Sequence, residues 1–104
     1  MGASAAENVR CFSPDADTLA LSGELTFATA AQALREGAHA LAAGAPSRLD
    51  LKGVTRVDGA GLACILALVA EASRNGRRLH VLNLPDGLRA LARVSDTEML
   101  LSAA

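Results

Sequence analysis

Aromatic residues are almost absent from this sequence, which has no Trp, no Tyr and only two Phe among 104 residues. An excess of charge of one sign is also lacking, because ten basic and eleven acidic side chains leave a formal net charge of −1. A nucleic-acid surface needs a concentrated basic face or aromatic stacking platforms. The composition therefore argues against a nucleic-acid partner.

Cysteine and histidine are scarce as well. Cys11 and Cys64 show no paired spacing, which favours two buried thiols in a reducing compartment over a disulfide. His39 and His80 have no metal-ligand spacing to each other or to a cysteine. No nucleophile motif occurs and the carboxylates are scattered. We therefore predict no catalytic, metal-binding or cofactor-binding residues and expect a protein that is not an enzyme.

Export and membrane signals are not apparent in the sequence. The N-terminus lacks the basic start and the long apolar run of a signal peptide, and Ala6 stands where a myristoylation motif requires Ser or Thr. No apolar run approaches the roughly 20 residues that span a bilayer. We therefore expect a cytoplasmic protein with no direct membrane insertion, which reaches a membrane only through another protein.

The apolar periodicity predicts one α/β domain over residues 9–104, preceded by a disordered segment at residues 1–8. The predicted order is strand, strand, helix, strand, helix, strand, helix. This alternation implies a small, mixed, mostly parallel β-sheet packed with α-helices. Thr26 is expected to cap a first helix that runs from about Phe27 to Ala43, with Phe27 on its apolar face.

The most informative stretch is the second helix with the turn before it. Asp58 and two glycines follow an apolar strand, and the eleven residues Ala60–Ala70 then contain no polar side chain. Asp58 is expected to cap this helix. At about 100° per residue, one side of the helix collects four large residues that should face the sheet. They are Leu62, Ile65, Leu66 and Val69.

The opposite side of this helix is small and apolar, where an isolated domain would normally be charged. Either a neighbouring helix of the same domain covers it, or it is a flat docking surface for a protein partner. We predict the second, with a partner interface of eight residues: Asp58, Gly59, Ala60, Gly61, Cys64, Ala67, Leu68 and Glu71. Nucleotide binding here is disfavoured because the turn lacks the phosphate-binding patterns and Asp58 would repel phosphate.

Several segments resemble the STAS domain family over most of residues 17–101. They are Gly23–Leu25, Leu49–Asp58, the Gly-Ala-Gly-Leu sequence that ends at Leu62, and Gly76–Leu82. With Leu88–Val94 after the last strand, the sequence looks most like the MlaB-type STAS subunits of bacterial phospholipid ABC transporters.

The resemblance implies a non-enzymatic subunit that docks on the transporter's cytoplasmic ATPase subunit and supports its assembly and activity in outer-membrane lipid asymmetry. The resemblance also implies that the protein has no cofactor and no small-molecule substrate. It implies that the partner holds the protein at the inner-membrane face. A signalling module like the anti-sigma-factor antagonists is the alternative. In the family, the residue after the aspartate is usually Ser or Thr, which the antagonists use as a phosphorylation switch. Here it is Gly59, so phosphorylation within residues 58–62 is not expected.

Overall fold

The computed structural model of the chain describes residues 8–44, 46–97 and 100–101. Strands and helices follow one another along these residues in the predicted order. The strands are β1 (Val9–Asp15), β2 (Thr18–Leu25), β3 (Arg48–Val57) and β4 (His80–Leu82), and the helices are α1 (Ala30–Gly44), α2 (Gly59–Arg74) and α3 (Asp86–Val94). Residues 1–7 of the N-terminal segment predicted to be disordered lie outside the described residues.

The four strands form one sheet in the order β1-β2-β3-β4. β1 pairs antiparallel with β2, whereas β3 pairs parallel with β2 and β4 pairs parallel with β3. The predicted α/β fold with a mixed, mostly parallel sheet is therefore confirmed. Parallel neighbours need a long crossover connection, which is why a helix separates β2 from β3 and β3 from β4.

One face of the sheet packs against the helices and forms the core. Leu19 and Leu21 of β2 and Leu49 and Leu51 of β3 are at most 1% exposed, because alternate residues of a strand point to the same face. The helices contribute further fully buried residues to the same hydrophobic cluster: Ala33, Ile65, Leu68 and Leu88.

The opposite face of the sheet is not covered by α1, α2 or α3. Phe12, Arg48, Lys52, His80 and Leu82 lie on it, and all five are exposed. The described residues therefore present two different surfaces, the outer side of the helix layer and a sheet face that the three helices leave open.

Among the element boundaries that differ from the sequence prediction, two bear on the site. The sequence pattern predicts a short strand at Arg48–Leu51, but β3 continues to Val57, because β2 runs beside it and Leu25 pairs with Val57. α1 begins at Ala30 instead of Phe27, because residues 27–29 form a turn. Phe27 is consequently not part of the apolar face of α1.

None of the helices in the described part of the chain combines the length and the hydropathy that a membrane crossing requires.

Candidate functional site

Asp58 holds together the turn between β3 and α2. Its Oδ1 accepts a hydrogen bond from the Gly61 N–H at 3.0 Å, which confirms the predicted cap of α2. Its Oδ2 accepts a second hydrogen bond from the Phe27 N–H, also at 3.0 Å. The bond from Phe27, followed by that from Gly61, holds the pKa of the Asp58 carboxyl below its ordinary value because both stabilise the charged form. One carboxylate therefore ties the turn before α1 to the start of α2.

The two glycines of this turn, Gly59 and Gly61, have opposite surroundings. A Cβ at Gly61 would lie 2.1 Å from the Leu25 carbonyl oxygen and 2.8 Å from Val57 Cγ2. Only glycine allows α2 to approach the end of β2 this closely. A Cβ at Gly59 would have no atom within 4 Å outside its own helix and chain neighbours, and Gly59 is exposed. Gly61 is thus a packing residue, whereas Gly59 is open to a partner.

Three residues of the predicted interface lie inside the domain, and one of them is Gly61, which is buried. Cys64 is 3% exposed and Leu68 is 0% exposed. Helix α1 packs on α2 at this side, and a Cβ at Gly37 would lie only 2.8 Å from Leu68 Cδ2. The expectation that a partner contacts Gly61, Cys64 and Leu68 is therefore wrong. At Leu68 the other explanation, a covering helix of the same domain, is correct.

The remaining predicted interface residues on α2 are partly accessible. Ala60, Ala67 and Glu71 are half-buried. The Glu71 carboxylate forms an ion pair with the Arg74 guanidinium. Their contact with a partner, like that of Asp58 and Gly59, stays a prediction.

The outward side of α2 carries a continuous stripe of small apolar residues. Gly59, Ala63 and Ala70 are exposed, and Leu66 and Ala67 are half-buried. We call these five residues the α2 stripe. At about 100° per residue they fall on the side of the helix opposite its buried residues, so the accessible face is turned by about a quarter of the circumference from the predicted one. Leu66, which was expected to face the sheet, belongs to this stripe.

Phe27 is the candidate residue that the sequence analysis missed. Its side chain is 85% exposed, the largest apolar side chain left open at this end of the domain. Its N–H bond to Asp58 places it beside the start of α2 and hence beside Gly59. The Phe27 backbone and the start of the α2 stripe therefore lie at the same end of the domain, and we treat Phe27 and the α2 stripe together as the candidate docking surface.

Thr29 explains why Phe27 is outside α1. The Thr29 hydroxyl donates to the Glu24 carbonyl oxygen at 2.6 Å and accepts from the Thr26 N–H at 3.0 Å, which fixes a turn before the helix. Thr29 precedes Gln32 by three residues, the spacing of a capping box. That pattern is the local signal for a helix that starts at Ala30.

The two thiols lie in surroundings that favour their protonated form. Burial, followed by the proximity of Cys11, raises the pKa of the Cys64 thiol to about 11. Burial, followed by the charge of Glu36, also raises the pKa of Cys11. A protonated thiol is a poor nucleophile. Within the described ranges, no group of three or more His, Cys, Asp or Glu side chains is placed to hold a metal ion.

Comparison with known families matches the chain almost throughout. Residues 10–102 fit the model of the family described as the MlaB STAS domain. The chain belongs to this STAS family. No curated protein sequence matches it.

Two solved structures of SpoIIAA, described as an anti-sigma factor antagonist and a Bacillus cell fate determinant, resemble this STAS domain. The unphosphorylated form is 18% identical, with 88% of this chain and 84% of that chain covered and a TM-score of 0.69. The phosphorylated form is also 18% identical, with 86% and 85% covered and a TM-score of 0.65. At this identity the likeness shows a common fold.

Proposed function

We propose that this STAS domain is a non-enzymatic subunit of a phospholipid ABC transporter, which it joins by docking on the cytoplasmic ATPase subunit. Its role is to support the assembly and activity of the transporter. The observation that carries the proposal is the exposure of Phe27 and of the α2 stripe at one end of the domain, because exposed apolar patches mark protein contacts. Membership of the MlaB STAS family supports the choice of partner. The partner in turn brings the domain to the inner-membrane face.

Phe27 is expected to anchor the contact. Aromatic side chains near the centre of an interface often carry most of its binding energy. Burying an exposed Phe contributes about 2–3 kcal/mol. Beside it, the α2 stripe has no charged side chain and none larger than Leu66, so a helix or loop of the partner can approach the α2 backbone closely.

The Asp58 turn supports constitutive docking. Residues 58–62 contain no hydroxyl side chain, and Gly59 stands directly after the aspartate. A phosphorylation switch in this turn would need a group that these residues do not have. In this proposal, association with the ATPase is therefore governed by the amounts of the two proteins.

Phe27→Ala tests the docking surface. We expect its affinity for the ABC ATPase to fall by about 30- to 150-fold, which corresponds to a loss of about 2–3 kcal/mol. Val94→Ala is the control, because it shortens another apolar side chain that is 87% exposed but lies at the end of α3. Co-purification and titration calorimetry would measure both. Equal binding by Phe27→Ala and wild type would refute the surface, and failure of the wild type to bind the ATPase would refute the partner.

The likeness to SpoIIAA favours a second candidate function, a signalling module that binds an anti-sigma factor or a similar kinase. Incubation with an anti-sigma kinase and ATP, followed by intact-mass measurement, separates the two candidates. The signalling function predicts a gain of one phosphate. The docking function predicts none, and for residues 58–62 we expect none in either case.

A further inference from the structure

The sheet face opposite the helices carries a hollow between two large apolar side chains, with Asp50 and Lys52 also in its lining, and this hollow is separate from the surface of Phe27 and the α2 stripe. Strand register places Phe12 of β1 beside Ala20 of β2, and Ala20 beside Asp50 of β3. Leu82 of β4 is the next residue in this row, paired with Asp50. Phe12 is 44% exposed and Leu82 is 37% exposed, whereas Ala20 between them is 6% exposed. The two large side chains therefore flank a hollow of about 380 Å³.

Polar groups beside this row differ between the two edges of the sheet. At the β1 edge, the Asp15 carboxylate pairs with the Arg48 guanidinium at 3.9 Å. At the β4 edge, His80 is the register partner of Arg48 and is exposed. One edge of the face thus offers a carboxylate and an aromatic ring, with the Arg10 guanidinium 5.9 Å from the centre of that ring, and the other offers an imidazole and a leucine.

We propose that this sheet face binds the same face of a second copy of the chain, about a two-fold axis parallel to the strands. Such an axis exchanges the two edges of the sheet. It places Phe12 of one copy against Leu82 of the other, and Asp15 of one copy against His80 of the other. An apolar pair and a carboxylate–imidazole pair therefore form twice, as a self-complementary interface requires.

The position of Asp50 selects this axis over the other two-fold arrangement that brings the faces together. An axis perpendicular to the strands would place Asp50 against Asp50, and two carboxylates would repel each other. The axis parallel to the strands places Asp50 against Ala20, whose small side chain leaves room for water. The Asp50 Oδ1 keeps its hydrogen bonds from the Asn83 side chain at 2.9 Å and the Lys52 N–H at 3.0 Å.

The size of the face predicts a weak, reversible dimer. Four strands about 4.8 Å apart, each contributing a few residues, give a contact on the order of 300–400 Å² per copy. This area lies below that of stable complexes and in the range of transient ones. Dimers are therefore expected only towards millimolar protein concentration.

Analytical ultracentrifugation from micromolar to millimolar concentration tests the proposal. The average mass of the wild type should rise towards that of a dimer, whereas Phe12→Asp and Leu82→Asp should each stay monomeric. Val94→Asp is the matched control, because it places the same charge on another exposed apolar residue and should leave the rise unchanged. Circular dichroism checks that each variant is folded. A monomeric wild type at millimolar concentration would overturn the proposal, and so would association that persists in both sheet-face variants.

Cross-linking between folded cysteine variants tests the direction of the two-fold axis. Phe12→Cys and Leu82→Cys chains, both in a Cys11→Ala background, are mixed and treated with a bismaleimide that spans about 10 Å, the distance between stacked sheets. The proposed axis predicts products that join one chain of each kind. Products formed mainly between two Phe12→Cys chains would overturn it. Because this face and the surface of Phe27 are different, either result leaves the test of ATPase docking unaffected.

Discussion

The two sides of α2 use the same kinds of residue in opposite surroundings. On the inward side, Leu68 is fully buried against α1, and Gly61 is closed in by the Leu25 carbonyl. On the outward side, Gly59 and Ala63 are exposed. A small apolar residue on a helix therefore indicates close packing. It does not indicate whether the neighbour belongs to the same domain or to a partner. Substitutions that separate stability from docking can distinguish the two sides.

Leu68→Ala is expected to have the largest effect on the inward side. It should lower the free energy of unfolding by about 4 kcal/mol, because it removes a fully buried side chain and leaves a cavity. Ala63→Leu is the outward counterpart and should change stability by less than about 0.5 kcal/mol. Urea denaturation of both variants measures the difference. Similar losses for the two variants would contradict the division of α2 into a packed and an open side.

Gly61→Ala should have the next largest effect. A methyl group there would meet the Leu25 carbonyl oxygen, so the backbone must shift, at an expected cost of about 3 kcal/mol. Gly59→Ala, two residues away, should instead stabilise the domain by about 0.5 kcal/mol because alanine restricts the unfolded chain. Thermal or urea unfolding of the two variants would show whether Gly61→Ala lowers the stability of the domain and Gly59→Ala raises it. A stable Gly61→Ala domain would mean that the approach of α2 to β2 is looser than described.

Asp58→Ala should have a smaller effect that depends on pH. Near pH 7 the loss of the helix cap is expected to cost about 1 kcal/mol. Because the pKa of Asp58 is lowered in the folded domain, its contribution is fully present above the unfolded-state pKa of about 3.9 and disappears as the pH falls through the lower folded-state value. The stability difference between wild type and variant should therefore shrink in acid. A constant difference down to about pH 2 would contradict the assigned hydrogen bonds.

The element order and the sheet could be predicted from the sequence because they follow from local patterns. Alternating residues in β2 and β3 and the small-residue turn at Asp58 each act over a few neighbouring positions. The cap of α2 is equally local, since Asp58 accepts from the N–H three residues later. Such features depend little on the rest of the fold.

The accessible part of the site could not be predicted in the same way. Which side of α2 is covered depends on the contact between Leu68 and Gly37, which the sequence separates by a strand and two turns. The exposure of Phe27 depends partly on its hydrogen bond to Asp58, 31 positions away. The capping-box pattern at Thr29 could have corrected the start of α1, although it does not show what lies beside Phe27.

The most direct test of the docking surface is the affinity of Gly59→Glu for the ABC ATPase. Gly59 has open surroundings, and an acidic residue in the first turn of a helix is favourable, so the variant should keep its fold and stability. Gly44→Glu, at an equally open glycine at the end of α1, is the matched control. We predict binding at least about tenfold weaker for Gly59→Glu, because a charge would be buried in the contact, and wild-type binding for Gly44→Glu. Equal affinity of wild type, Gly59→Glu and Gly44→Glu would contradict the assignment.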